Sequence, residues 1–109
     1  MEFYTKIAGV SFENQDGISR QEIIEDLEEQ VQHNTPILLL LQRDPENPYD
    51  PQAVQVLDPQ GRPLGFLKRQ VSQTIAPLLD QGVQVQCELA QITGQSLHHH
   101  YGINIKLSY

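Results

Sequence analysis

The chain has 109 residues, 39% of them hydrophobic and 19% charged, with seven Gly, seven Pro and one Cys. That length allows one modest core but not two domains, and the composition excludes a disordered or fibrous chain. The net charge of −7 sits mostly in residues 1–33, where eight acids face Lys6 and Arg20 for a balance of −6. Residues 34–109 carry only −1, which leaves room for a local basic site but excludes clamping of duplex DNA by a broad cationic face.

Cys87 has no partner for an intramolecular disulfide, which fits a reducing, cytoplasmic setting. Met1 to Lys6 lacks a basic region followed by an apolar run, so no secretory leader is expected there. The longest apolar run, Ile37 to Leu41, is too short to cross a bilayer, and no membrane partner is expected.

In chain order, Phe3 to Val10 reads as a strand that ends at Gly9 and a polar loop, Glu13 to Gly17. Ser19 followed by Glu22 has the spacing of a capping box, and Ile18 with Ile23 has that of a hydrophobic staple. Ile23, Ile24, Leu27 and Val31 then recur at helical spacing, predicting an amphipathic helix of about three turns. Its acids, Glu25, Asp26, Glu28 and Glu29, read most simply as a solvated face, with an acidic docking surface as the alternative.

Ile37 to Gln42 is a short apolar run, expected to be a strand buried on both faces. Asp44 to Pro51 holds three prolines and must be an irregular loop with preset backbone angles. Ala53 to Leu57, the turn Asp58 to Gly61 and Leu64 to Leu67 form a hairpin signal. Arg69 to Leu79 predicts a second helix, kinked or restarted at Pro77 and stopped by Gly82. Val83, Val85, Cys87 and Leu89 alternate with polar residues as a half-buried strand, with Cys87 on its apolar side. A polar loop from Thr93 to His100 precedes a last strand carrying Ile103, Ile105 and Leu107. The expectation is six strands with two inserted helices.

Chemistry is sparse. There is no phosphate-binding Gly-Lys-Ser/Thr loop, Ser11 lacks the glycine that a nucleophile elbow needs, and no paired-cysteine zinc signature exists. No catalytic residue, metal ligand or cofactor is therefore assigned. His98 and His100, with Cys87 or His33, could share a metal but read more simply as a wet loop. Asp44, Glu46 and Asp50 could gather a cation but lack the glycine and terminal glutamate of a calcium loop, so bracing of their own loop is the simpler assignment.

That loop is still the most informative stretch. Tyr49 beside Asp50 offers a stacking ring and a hydroxyl-accepting carboxylate, a pairing suited to a nucleoside terminus. A tyrosine packed over its own loop, with Asp50 capping a turn, fits the spacing equally well.

The stretch LLLQRDPENPYDPQAVQV and the following GFLKRQVSQTIAPLLDQGVQV resemble the HIRAN family, whose members include DNA-repair helicases. The resemblance extends from IAGVSFEN to YGINIKL, nearly the whole chain as one domain. It implies a mainly β fold, a modified OB-like or SH3-like barrel, and a non-enzymatic module that grips the 3′ end of single-stranded DNA. By the same resemblance Tyr49 and Asp50 hold the terminal nucleotide and its hydroxyl, and Arg69 with Lys68 meets a phosphate. Phe12 falls at an aromatic position without its hydroxyl, Tyr101 is the candidate ring near the last strand, and Ser11 stands where the family has an arginine. A role in DNA repair or stalled-fork processing, with a helicase or nuclease as protein partner, follows from the resemblance. Two other classes compete: a protein-interaction module using the acidic helix, and a metal-dependent hydrolase.

Overall fold

The computed structural model describes residues 1–31, 36–94 and 101–109. Its strands are β1 (Glu2–Ala8), β2 (Leu38–Arg43), β3 (Val54–Leu57), β4 (Pro63–Leu67), β5 (Gln86–Thr93) and β6 (Gly102–Ser108). Helix α1 (Arg20–Val31) lies between β1 and β2, and α2 (Arg69–Asp80) between β4 and β5. All neighbouring strands are antiparallel, and the sheet closes into a barrel in the order β1-β4-β3-β2-β5-β6. The expected barrel with two inserted helices is the fold that forms. Closure gives every strand a neighbour on both sides, although β1 meets β4 only at Ile7 and Ala8 and β2 meets β5 only at Leu38 and Leu39.

The lumen is filled by the inward residues of each strand. Ile103, Ile105 and Leu107 point in from β6, meeting Leu39, Val54, Val56, Leu64 and Cys87 in one cluster that also takes Ile23, Ile24 and Leu27 from α1 and Ile75 from α2. Strict alternation along β6 is the signature of a strand with one face inside and one outside. β1 and β4 approach most closely at Gly65, where a Cβ would stand 2.3 Å from the Ala8 carbonyl oxygen.

Four local expectations are corrected. β2 is not buried on both faces: Leu38 and Leu40 are about half exposed while Leu39 between them is buried. In a closed barrel the outer face is dry only where a helix covers it, and the helices lie over β4 and β3. β5 starts at Gln86, so Val83 lies outside it and is exposed. A register shift between Leu89 and Gln91 then turns Ile92 inward. α2 runs to Asp80 without restarting at Pro77, since proline removes one helical bond and the carbonyl left over belongs to exposed Gln73. Ser19 Oγ accepts the Gln21 N–H at 3.2 Å, while the Glu22 N–H goes to the Ser19 carbonyl at 3.1 Å, so Ser19 caps the helix at the second residue and the reciprocal capping box does not form among the described residues.

Strand register fixes where the loops emerge. Arg43 pairs with Val54, and Gln55 pairs with Phe66, so the end of β2, the start of β3 and the end of β4 share one end of the barrel. The proline-rich loop and the first turn of α2 are therefore neighbours.

Candidate nucleic-acid interface

The β2–β3 loop is held by its own polar groups. At its neck the Asp44 N–H donates to the Ala53 carbonyl at 2.9 Å, and Arg43 Nη1 reaches the same oxygen at 2.9 Å. Asn47 is the internal brace: its Oδ1 accepts the N–H groups of Tyr49 and Asp50 at 2.9 and 3.2 Å, and its Nδ2 donates to Asp44 Oδ2 at 3.2 Å. Pro45, Pro48 and Pro51 restrict the intervening backbone. Bracing of the loop is thus the role the structure gives Asp44, and it fixes the tip at small entropic cost.

At that tip the Tyr49 ring is 86% exposed, so it does not pack over its own loop. Asp50 caps a turn, as its spacing allowed, and keeps its second oxygen toward a cation. Its Oδ1 accepts the Gln52 N–H at 2.9 Å, a turn cap, while its Oδ2 faces Arg69 Nε at 3.7 Å. Arg69 also donates from Nη2 to the Tyr49 carbonyl at 2.9 Å. The Asp50 carboxylate, the Arg69 guanidinium and the Tyr49 backbone therefore meet at one corner, and the exposed Lys68 is the N-terminal cap residue of α2 next to Arg69. Lys68 makes no side-chain capping bond, so the positive end of that helix adds to the local potential.

The β1–α1 loop forms a second wall. Gly9 turns it with φ at +77°, and the Phe12 N–H donates back to the Gly9 carbonyl at 3.3 Å. Ser11 is exposed, and Phe12 is exposed too, with its ring edge against Gly9. Arg20 comes in from the start of α1, donating from Nη1 to the Gly9 carbonyl at 2.7 Å and from Nε to Asn14 Oδ1 at 2.9 Å. Its guanidinium lies 5.5 Å from the centre of the Phe66 ring. Between the two loops runs an open groove of about 610 Å3, floored by Gln42, Gln55 and Phe66, with Arg20 and Asn14 on one side and Asn47 and Pro48 on the other. The Phe66 ring and the amides suit a flat ring, and the guanidiniums of Arg20 and Arg43 suit an anion, against which the Glu13, Asp16 and Asp44 carboxylates of the same lining act.

The HIRAN domain profile matches residues 1–108. The chain belongs to the HIRAN family. Among curated relatives, the helicase-like transcription factors of Homo sapiens, Oryctolagus cuniculus and Mus musculus are 38%, 36% and 34% identical to this HIRAN chain over 61 residues. Those residues are 56% of this chain and 6% of each relative, so the chain spans a small part of the proteins it resembles. In fold it is similar to the crystal structure of the HIRAN domain of human HLTF, with a TM-score of 0.67 and 20% identity, covering 97% of this chain and 72% of that one. It is also similar to the crystal structure of a protein from Lactobacillus plantarum, with a TM-score of 0.54 and 22% identity over the full length of both.

Within this HIRAN domain the expected residues divide. Tyr49, Asp50, Arg69 and Lys68 gather at one corner, and Ser11 and Phe12 stand on the opposite loop. Tyr101 is tied to the base of the β1–α1 loop through Gln21, which accepts the Tyr101 N–H at 2.6 Å and donates to the carbonyls of Tyr101 and Val10 at 3.1 and 2.8 Å. Desolvation raises the Tyr101 phenol pKa, and the carboxylates of Glu28 and Glu25 on α1 raise it further. A phosphate backbone is repelled from such a place. His33 and His98 to His100 lie outside the described residues, and among the described residues no three of His, Cys, Asp and Glu come together as a metal cluster. No helix there is long and apolar enough to cross a membrane.

Sequence reasoning missed Asn47, Arg20 and Phe66. Asn47 carried a local signal, since Asn two residues before a turn residue is an Asx-turn former. Arg20 carried none, because its partners Gly9 and Phe66 come from other elements.

Proposed function

We propose that the chain is a DNA-binding module that recognises the 3′ end of single-stranded DNA and has no chemistry of its own. The observation that carries this reading is the corner where Arg69 meets both the Asp50 carboxylate and the Tyr49 carbonyl, with the Tyr49 side chain left exposed. Tyr49 stacks on the terminal base, the carboxylate accepts the 3′-hydroxyl proton, and Arg69 with Lys68 meets the adjacent phosphate. Family membership and the naming of three relatives as helicase-like transcription factors support a nucleic-acid ligand. A role in repair or stalled-fork processing beside a helicase or nuclease is the setting this reading proposes.

The acidic helix as a docking surface is the weaker reading. Asp26 is already paired with Arg62 Nη1 at 3.1 Å, and Glu28 sits against Tyr101, which leaves Glu22, Glu25 and Glu29 for a partner. A titration of the labelled protein with a short single-stranded oligonucleotide, followed by amide chemical shifts, separates the two. The DNA reading expects changes at residues 47–52 and 66–70; changes confined to α1, or none at low salt, overturn it.

A further inference from the structure

Arg20 is nearly buried, yet among the described residues it has no carboxylate within ion-pair distance, whereas Arg43, Arg69 and Lys106 each have one and Arg62 has two. Its guanidinium is held by neutral acceptors alone, the Gly9 carbonyl and Asn14 Oδ1, and by the Phe66 ring. Nε and Nη1 are spent on those bonds, while Nη2 has no partner among the described residues and the side chain lines the groove. A charge taken out of water without a counter-ion is costly, and a fixed fork with an unused donor pair matches a phosphate oxygen.

We propose that Arg20 makes a second phosphate contact in the nucleic-acid site, beyond the one at Arg69 and Lys68, its Nη2 taking a different phosphate of the strand whose terminal nucleotide sits at Tyr49 and Asp50. The inference rests on the DNA-end reading given above and adds a residue, and a limit, to it. Glu13, Asp16 and Asp44 also line the groove. Asp16 Oδ1 accepts the Ile18 N–H at 2.9 Å and Asp44 Oδ2 accepts Asn47 Nδ2, so these carboxylates are partly turned into their own loops, but their charge still opposes a polyanion. The groove therefore admits a single phosphate at Arg20 and rejects a long backbone. Affinity levels off once the strand is long enough to reach Arg20.

The test is a linkage scan. Single-stranded oligonucleotides carrying one neutral methylphosphonate at each of the three linkages nearest the 3′ end are bound to the wild-type protein, to Arg20→Gln and to Arg69→Gln. Two linkages should each weaken wild-type binding by about tenfold or more, and Arg20→Gln should erase the penalty at one of them only. Arg20→Lys, which keeps the charge but loses the fork, should fall between. If wild-type protein shows one sensitive linkage and Arg69→Gln erases it, the Arg20 assignment is overturned while end binding stands. If wild-type protein binds none of the strands, the DNA-end reading fails and this inference fails with it. Should Arg20→Gln not fold, Arg20→Lys decides the matter: a penalty reduced at one linkage only supports the assignment, and penalties unchanged at both overturn it.

Discussion

Asp50 divides its two oxygens, giving Oδ1 to the Gln52 N–H at 2.9 Å and turning Oδ2 toward Arg69 Nε at 3.7 Å. One carboxylate thus builds the turn and charges the corner. Asp50→Asn keeps an acceptor for Gln52 and removes the charge. The expected cost in stability is under about 1 kcal/mol, because Arg69 is largely exposed. The expected cost in binding is the loss of preference for a free 3′-hydroxyl, read by competition between free and blocked strands.

Tyr49 separates binding from folding still more cleanly. Its ring is almost fully exposed and contributes little to the core, so Tyr49→Ala should change unfolding free energy by less than about 0.5 kcal/mol. The same change should weaken single-strand binding by about 1–3 kcal/mol, the usual worth of one stacked base. Tyr49→Phe should restore most of it. Urea unfolding and fluorescence anisotropy on the same three proteins check both halves.

Gly65 is required by close approach, since any Cβ there meets the Ala8 carbonyl at 2.3 Å and neither strand can move without opening the barrel. Gly65→Ala should cost at least about 2 kcal/mol in chemical unfolding. A midpoint equal to that of the wild type would show that β1 and β4 are farther apart than described.

Cys87 gives a pH dependence. Burial pushes its thiol up from 9.0 to about 12, so the unfolded chain releases this proton before the folded one does. The stability tied to the neutral thiol is fully present below pH 9.0 and is lost as pH rises from 9.0 toward about 12, at roughly 1.4 kcal/mol per pH unit. Cys87→Ala should abolish that slope, and alkylation at pH 8 should be slow until denaturant is added.

How much of this was legible depended on whether the cause was local. The alternation of Ile103, Ile105 and Leu107 and the prolines of the β2–β3 loop act over neighbouring residues, and both elements stand where the sequence placed them. The inward turn of Ile92 depends on a register shift against β6, and the exposure of Leu38 and Leu40 depends on where the helices lie. Neither cause is written in the residues concerned. The site follows the same rule: Tyr49, Asp50 and Arg69 could be named from their types and their family resemblance, but their convergence needed the register of β3 on β4. In the sequence Arg20 counts only as one of two bases in an acidic segment, and its place in the groove depends on Gly9 and Phe66 from other elements.

The central claim is recognition of a strand end, and affinity for one oligonucleotide in two forms tests it most directly. With a free 3′-hydroxyl the strand should bind at least about tenfold more tightly than the same strand ending in a 3′-phosphate, because Asp50 would then face another anion. Equal affinity for the two forms would contradict the account.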